Sequence, residues 1–307
     1  MKKILVIGSL NMDSVIETEH LPKAGETISG KSITENPGGK GANQAYAIGK
    51  LGGNVSMIGA VGADNFGTVL KQNLSSVNVD VSGLAELDQV PTGQAFITVD
   101  SSAENSIIII SGANGCVTKE VVRQNLALLE QCDIVVMQLE IPIETVQYAK
   151  DLAVSMGKTV ILDPAPAVPD LPDSFWQGIN YIKPNETELS ILTGCTPTDQ
   201  DSLIACARKM QNKGVKNVIV TLGEKGCLLV QQENVQFFPA FKVKAVDTTA
   251  AGDSFTAAFA LALSQNKSCQ EAVVLGQQVS AIAVTRRGAQ NSIPTMAEVN
   301  ARKKETL

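Results

Sequence analysis

Residues 245–256 join a turn of small residues to the start of an apolar helix, with a carboxylate at the junction. Ala250, Ala251 and Gly252 carry no bulky side chain, and Asp253 follows them directly. A helix N-terminus presents unpaired backbone N–H groups and the positive end of the helix dipole, so a phosphoryl group could approach these donors closely. An acid at this point could take the proton from a hydroxyl that attacks the phosphoryl group. The alternative is that Asp253 only caps the helix, as Asp commonly does.

Polar side chains follow several of the predicted strands. Asn11 and Asp13 follow an apolar strand over residues 3–8, and Glu140 follows a strand over residues 134–137. In open α/β sheets, ligands bind outside the carboxyl ends of the strands, where such side chains can hydrogen-bond a polyhydroxylated ligand. For Asn11 and Asp13 an Asx turn is the alternative. The other polar residues at predicted strand ends are Gln138, Asp163 and Lys183.

A glycine-rich segment over residues 37–45 leads into an apolar helical pattern. Its glycines predict a close backbone approach to a ligand, and Lys40 and Asn43 supply donors at the helix start. The segment is not a Walker A loop, because Gly41 rather than Ser or Thr follows Lys40. The first predicted strand is not followed by a dinucleotide fingerprint either.

Two further polar clusters open or connect elements in the second half of the chain. Asn185 and Glu188 are three residues apart at a predicted helix start, so both can face the same side of its first turn. A capping box would give the same pattern without any function. A tight turn over residues 222–226 follows the strand that ends at Thr221.

The elements that carry these residues alternate regularly in the second half of the chain. Predicted helices over residues 118–130 and 142–156 lead to strands over residues 134–137 and 159–162. This alternation predicts a doubly wound α/β fold, with a mainly parallel sheet that is flanked by helices on both faces.

Residues 14–36 and 93–110 show a different pattern, in which short apolar runs are separated by turn residues. The second of these segments contains two strand-like runs on either side of a turn over residues 101–103. We expect both segments to form a small β-sheet lid over the sugar-type site. Because the sequence contains no recognisable internal repeat or interdomain linker, we expect residues 1–307 to form a single domain that includes this lid.

Bulk composition excludes several classes of protein. The chain of 307 residues is 44% hydrophobic, as in an ordinary soluble protein. Its net charge of −6 and pI near 5.0 argue against nucleic acid or an anionic membrane as partner. Apolar runs are too short for a transmembrane helix or a signal peptide. The 6 scattered cysteines fit reduced thiols in the cytoplasm. His20 is the only histidine, so the general base is expected to be a carboxylate, lysine, tyrosine or cysteine.

Taken together, these motifs resemble the ribokinase-like group of the phosphofructokinase-B-like sugar kinase family. The resemblance covers nearly the whole chain and rests on three segments in the family's order. They are Gly38-Gly-Lys-Gly-Ala-Asn-Gln-Ala, Asn185-Glu-Thr-Glu and Asp247-Thr-Thr-Ala-Ala-Gly-Asp-Ser-Phe. One departure is Ser254, where the family often has Thr; since Ser keeps the hydroxyl, little consequence is expected.

The resemblance implies transfer of the γ-phosphoryl group of ATP to the 5-hydroxyl of D-ribose. It implies that Asp253 is the general base and that the N–H groups of Ala250, Ala251 and Gly252 form an anion hole. For the sugar it implies Asn11, Asp13, Gly39, Lys40, Gly41, Ala42, Asn43, Glu140 and Asp253. For the nucleotide it implies Asn185, Thr221, Leu222, Gly223, Glu224, Lys225, Gly226, Gly252, Asp253 and Gln277.

The resemblance also implies two metal ions and a dimer. Mg²⁺ would be placed through water by Glu188, within the family's Asn-x-x-Glu motif. A monovalent cation, usually K⁺, would activate the enzyme from a site beside the anion hole, and the lid would form a homodimer contact. The positions implied for K⁺ are Asp247, Thr249, Ala283, Arg286, Gly288 and Ser292.

Three alternatives remain at the level of sequence. A kinase for 2-deoxyribose, another sugar or a nucleoside would carry the same motifs. A non-catalytic sugar-binding protein would share the fold, but it would be expected to lose the base or the anion hole, and both are present. A dinucleotide-dependent oxidoreductase would need the glycine fingerprint that is missing after the first strand.

Overall fold

The computed structural model of the protein describes residues 1–102 and 104–305. Ala103, in the turn expected at residues 101–103, and the end of the domain expected at residue 307 lie outside the described residues. Within the described residues the fold is α/β, as the strand–helix alternation predicts, with one large and one small sheet.

The large sheet has nine strands within the described residues, in the order β13-β12-β11-β10-β9-β8-β1-β4-β5. In this order, the strands from β11 to β5 run parallel to their neighbours. Strand β12 pairs antiparallel with both β11 and β13. The strands are β1 (Ile4–Ile7), β4 (Val55–Gly62), β5 (Asp80–Leu87), β8 (Ile134–Met137), β9 (Thr159–Leu162), β10 (Tyr181–Ile182), β11 (Asn217–Thr221), β12 (Cys227–Val230) and β13 (Val235–Phe238).

Helices cover both faces of the large sheet. Along β1, Ile4 and Val6 join one hydrophobic core with Phe259, whereas Leu5 and Ile7 join a second core on the opposite face. A strand that is buried on both faces explains the unbroken apolar run at the start of the chain. The helices are α1 (Lys40–Lys50), α2 (Asn65–Ser76), α3 (Lys119–Gln124), α4 (Leu126–Gln131), α5 (Ile143–Ser155), α6 (Asp173–Trp176), α7 (Glu186–Thr193), α8 (Gln200–Asn212), α9 (Ala251–Ser264), α10 (Cys269–Ala283) and α11 (Met296–Glu305).

The small sheet has the strand order β3-β2-β6-β7 and contains β2 (Asn11–Glu17), β3 (Ser32–Gly38), β6 (Gly93–Val99) and β7 (Asn105–Ile110). Its strands lie mostly in the two segments that the sequence assigns to a lid, although β2 begins before residue 14 and β3 ends after residue 36. Asn11 pairs with Gly38, and Asp13 pairs with Asn36. Asn11 and Asp13 therefore lie in a strand of the small sheet rather than in an Asx turn.

Several elements differ from the sequence-based expectation, among them helices α6 and α8, which were not predicted. The predicted helix over residues 118–130 is interrupted at Asn125, whose side-chain amide donates to the carbonyl oxygen of Val121 at 2.9 Å. Strands β5 and β13 were not predicted, and each lies at an edge of the large sheet. Edge strands are only partly buried, which weakens the apolar pattern that marks a strand. In the described part of the chain, none of the helices combines the length and the apolar character needed to cross a membrane.

Candidate active site

Asp253 lies in the first turn of α9 and is only 5% exposed. Its carboxylate accepts hydrogen bonds from the side-chain amides of Asn43 at 2.9 Å and Gln44 at 3.0 Å. The helix begins at Ala250 in a left-handed conformation (φ 57°, ψ 13°), without a side-chain cap in the described structure. Asp253 is therefore not a helix cap, and the first turn of α9 keeps backbone donors for an anion.

A cluster of polar residues lies close to Asp253, at the ends of β1 and β8. The carboxylate of Glu140 accepts hydrogen bonds from the hydroxyl of Ser9 at 2.5 Å and from the backbone N–H of Lys40 at 3.0 Å. The side chain of Asn114 donates to the side-chain oxygen of Asn11 at 2.8 Å, which fixes the orientation of the Asn11 amide.

The carboxylates in this cluster interact strongly with one another. Burial, followed by the charges of Glu140 and Asp253, raises the pKa of Asp13 to about 7. Burial also raises the pKa of Glu140, although Lys40 and Ser9 act against it. For Lys40, burial acts to lower the pKa, but the surrounding carboxylates raise it overall, Asp253 foremost. Lys40 therefore stays protonated and balances part of the negative charge.

The glycines before and within α1 allow the chain to approach itself closely. Gly39 has φ 85°, and a Cβ atom there would lie 2.7 Å from the backbone nitrogen of Asn11. A Cβ atom on Gly41 would lie 2.6 Å from the backbone nitrogen of Ser9. The close contact that these glycines predict is thus made with the start of β2 and the turn before it, which brings Lys40 and Asn43 against the polar cluster.

A buried polar network continues behind Asp253. The amide nitrogen of Gln44 also donates to the carboxylate of Asp163 at 2.9 Å. Asp163 in turn forms an ion pair with Lys183 at 3.2 Å. A Cβ atom on Gly252 would lie 2.9 Å from the Lys183 ammonium, so this cation lies beside the first turn of α9. Positive charge and helix donors are therefore present beside the first turn of α9, which carries Asp253.

A cavity of about 810 Å³ opens next to the first turn of α9. Leu222 is buried beneath the β11–β12 turn, and Lys225 at that turn is exposed. The amide of Gln277 donates to the backbone oxygens of Phe238 at 3.1 Å and Pro239 at 3.3 Å. The predicted nucleotide residues that line the cavity are Asn185, Thr221, Gly223, Glu224, Gly226, Gly252 and Gln277. Lining residues that sequence reasoning missed include Phe241, Val243, Phe255, Ser280 and Val284.

Asn185 and Glu188 form a capping box at the start of α7. The Asn185 side chain accepts from the backbone N–H of Glu188, and the Glu188 carboxylate accepts from that of Asn185, both at 2.8 Å. Asn185 and Glu188 therefore form the capping box that the sequence allows even without a function in binding. Burial raises the pKa of Glu188, and the nearby Asp163 adds to this effect. The cap uses one carboxylate oxygen, Oε2, which leaves Oε1 for a water or an ion.

Two loops that carry the predicted K⁺ positions are held together beside the cavity. The carboxylate of Asp247 accepts from the backbone N–H groups of Thr249 at 2.9 Å and Gly288 at 2.8 Å. Burial acts to raise the pKa of Asp247, but these hydrogen bonds lower it overall. Arg286 points its guanidinium to Glu298 at 2.6 Å, so only its backbone can serve the site. Ala283 ends α10, and Ser292 donates its hydroxyl to Ala289 at 2.7 Å.

Sequence reasoning missed several polar residues that support the site. Gln44 was overlooked although it directly follows Asn43 in the glycine-rich segment. Ser9 and Asn114 were also missed, and neither belongs to a polar pattern that a single sequence could reveal. Asp163 and Lys183 were noticed only as polar residues at strand ends, without a role.

Known carbohydrate kinases are similar to this chain over most of its length. A family model described as pfkB family carbohydrate kinase matches residues 1–296. A ribokinase from Haemophilus influenzae is 42% identical over 297 residues, which is 97% of each chain. A deoxyribokinase from Salmonella typhi is 38% identical over the same share of each chain. A structure of Arabidopsis thaliana ribokinase complexed with ribose and ATP superposes with a TM-score of 0.92 at 35% identity, covering 98% of each chain. The chain belongs to the pfkB family of carbohydrate kinases and has the ribokinase-like fold.

Proposed function

We propose that the protein transfers the γ-phosphoryl group of ATP to the 5-hydroxyl of D-ribose, giving ribose 5-phosphate. The observation that carries this proposal is the position of the Asp253 carboxylate between two sites. Asp253 contacts the polar cluster through its hydrogen bond with Asn43, and it directly follows Gly252, which lines a cavity of about 810 Å³ beside the N-terminus of α9. The ribokinase relatives support ribose as the acceptor.

In the proposed reaction the residues of this chain position the substrates and balance charge, which is most of what phosphoryl transfer requires. The sugar hydroxyls bind to Asn11, Asp13, Asn43 and Glu140, with Gly39, Lys40, Gly41 and Ala42 forming the floor of the sugar site. Asp253 accepts the proton of the attacking hydroxyl. The backbone N–H groups of Ala250, Ala251 and Gly252 hold the negative charge that develops on the transferred group.

ATP is proposed to occupy the cavity beside α9. The size and mixed lining of this cavity suit a nucleotide. The phosphates of ATP would point towards the first turn of α9. The tight turn between β11 and β12 would border the remainder of the nucleotide. Residues proposed for this site are Asn185, Thr221, Leu222, Gly223, Glu224, Lys225, Gly226, Gly252, Asp253 and Gln277.

Two metal ions belong to the proposal. Mg²⁺ supplies charge neutralisation at the phosphates, and Glu188 would hold it through water, since Mg²⁺ usually keeps several waters and few carboxylates. The oxygen-only set around Asp247 suits K⁺, which carbonyl oxygens bind well. The K⁺ positions proposed are Asp247, Thr249, Ala283, Arg286, Gly288 and Ser292, most of them through backbone carbonyls.

A homodimer through the small sheet is also proposed. Strand β7 is the last strand of that sheet, and Ile107, Ile108, Ile109 and Ile110 are about half exposed or more, up to 64%. A run of exposed isoleucines on an edge strand is a liability for a monomer, because it invites pairing with another chain. We further propose that this sheet acts as the lid of a single domain and that the protein works in the cytoplasm, where its free cysteines stay reduced.

A kinase for 2-deoxyribose is the second candidate, favoured by the similarity to the deoxyribokinase from Salmonella typhi. Ribose and 2-deoxyribose differ by one hydroxyl, so the two functions use the same base and anion hole. A substrate panel separates them. ATP-dependent turnover of ribose, 2-deoxyribose, fructose and adenosine is measured with and without K⁺. Ribose should give the highest kcat/KM, and K⁺ should raise it; a preference for another substrate would contradict the proposal.

A further inference from the structure

The carboxylate of Asp253 is held by two side-chain amides, one on each oxygen. Asn43 donates to Oδ2 and Gln44 donates to Oδ1, both from the first turns of α1. Asn43 is 6% exposed, whereas Gln44 is fully buried. Gln44 therefore contacts Asp253 from a position that solvent does not reach.

The orientation of the Gln44 amide is determined by its partners. Its oxygen accepts a hydrogen bond from the side-chain amide of Gln138 at 2.7 Å. Its nitrogen must therefore face the carboxylates, and it donates to both Asp253 and Asp163. An amide nitrogen has two hydrogens, so one side chain satisfies both acceptors. Gln44 thus bridges two buried carboxylates without adding charge.

This bridge links the base to the cation beside the first turn of α9. Asp163, the second carboxylate on Gln44, is paired with Lys183 and also accepts from the hydroxyl of Thr256 at 3.3 Å. A hydrogen bond to the ionised form of a carboxyl favours ionisation, and a rigid donor limits its rotation. Gln44 therefore limits the direction in which the Asp253 carboxylate can point.

We propose that Gln44 is a positioning residue for the general base: its amide, anchored by Gln138 and Asp163, donates to Asp253 and keeps this carboxylate turned towards the attacking hydroxyl. This inference rests on the proposed function, because it assumes that Asp253 accepts a proton in the reaction. The proposal adds Gln44 to the site as a residue that contacts neither the sugar nor ATP.

Two substitutions of the same side-chain length test the proposal. Gln44→Met removes both donated hydrogen bonds, and Gln44→Glu replaces the neutral bridge with a third carboxylate. For Gln44→Met, kcat at pH 7 should fall by about 10- to 100-fold, as expected for a misplaced catalytic group, while KM for ATP changes less than about twofold. The acidic limb of the kcat profile should move to higher pH in Gln44→Met, and further in Gln44→Glu, because a like charge disfavours the ionised base.

A matched control is Gln211→Met, since the Gln211 amide donates to the backbone oxygens of Lys216 and Val230 at 3.0 and 3.3 Å, away from Asp253. This variant should lose stability without a change in the kcat profile. If Gln44→Met keeps the wild-type kcat and profile, losing only stability like the control, Gln44 is structural and the proposal is wrong. If Gln44→Met does not fold, an unmoved acidic limb in Gln44→Glu overturns it.

The outcome is separable from a failure of the proposed function. Wild-type protein is assayed first on the sugar panel, and no turnover with any substrate would refute the kinase reaction itself. Wild-type turnover together with unshifted Gln44 variants refutes only the role of Gln44.

Discussion

Replacing Asp13 with Asn should stabilise the unliganded protein at high pH while weakening sugar binding. Burial, with Glu140 and Asp253, raises the pKa of Asp13 from 3.8 to about 7. Because the folded-state pKa is raised, the stability contributed by the neutral carboxyl is fully present below pH 3.8 and is lost as pH rises through about 7. Roughly three pKa units correspond to about 4 kcal/mol, at about 1.4 kcal/mol per unit. Ionised Asp13 therefore costs the folded state at most about 4 kcal/mol above pH 7.

The assay is urea unfolding of the wild type and Asp13→Asn between pH 4 and pH 9, without ligand. The amide stays neutral throughout, so the difference in unfolding free energy should grow with pH and level off above about pH 7. Asp88→Asn, at an exposed position, is the matched control and should show no such growth. If Asp13→Asn is no more stable relative to wild type at pH 9 than at pH 4, the assigned burial and charge coupling of Asp13 are wrong.

The same ionisation should govern sugar affinity. A hydroxyl donates more strongly to a carboxylate than to a neutral carboxyl, so kcat/KM for the sugar should rise as Asp13 loses its proton near pH 7. In Asp13→Asn this rise should disappear, and KM should exceed the wild-type value chiefly above about pH 7. A variant with wild-type KM would remove Asp13 from the sugar site.

Four further predictions follow from the structure. Asp253→Asn should lower kcat by about 10²- to 10⁴-fold, the usual contribution of a general base, with KM for ATP largely unchanged; near-normal turnover would exclude Asp253 as the base. Gly41→Ala should unfold at lower temperature, because its Cβ would lie 2.6 Å from the backbone nitrogen of Ser9; an unchanged melting temperature would contradict this packing. Ile108→Lys should convert a dimer to a monomer in light scattering, whereas Ile191→Lys, at another exposed isoleucine, should not; two dimeric variants would argue against the small-sheet interface. Adding ribose should slow hydrogen exchange in the small sheet, and unchanged exchange there would count against a lid.

Much of the fold could be predicted because its signals are local. Strands buried on both faces, such as β1, leave unbroken apolar runs, and the helices between them keep their own period. The edge strands β5 and β13 were missed because a half-exposed strand has no such run. The helix break at Asn125 was missed because its cause is a single side chain that bonds the backbone of Val121.

The site was predictable to the extent that its residues lie in short motifs. Asp253 and the glycine-rich segment could be paired from sequence because both belong to the motifs that carry the resemblance to the sugar kinase family. The structure changes the interpretation of the glycines in that segment, however. Gly39 and Gly41 point to a close approach, and the partner in the structure is the chain's own backbone near Ser9 and Asn11.

The contacts that give Asp253 its environment could not be predicted, because they join distant parts of the chain. Gln44 meets Asp163 across 119 residues and Asp253 across 209 residues, and no local pattern distinguishes it from any other helical glutamine. The hydrogen bond between Gln44 and Asp253 can form only when α1 and α9 pack side by side. Two carboxylates can remain buried together there because a neutral donor and Lys183 satisfy them, which isolated buried charges could not achieve. The environment of Asp253, the proposed base, is thus a property of the packing between two helices, while the sequence motif specifies only which residue is the candidate base.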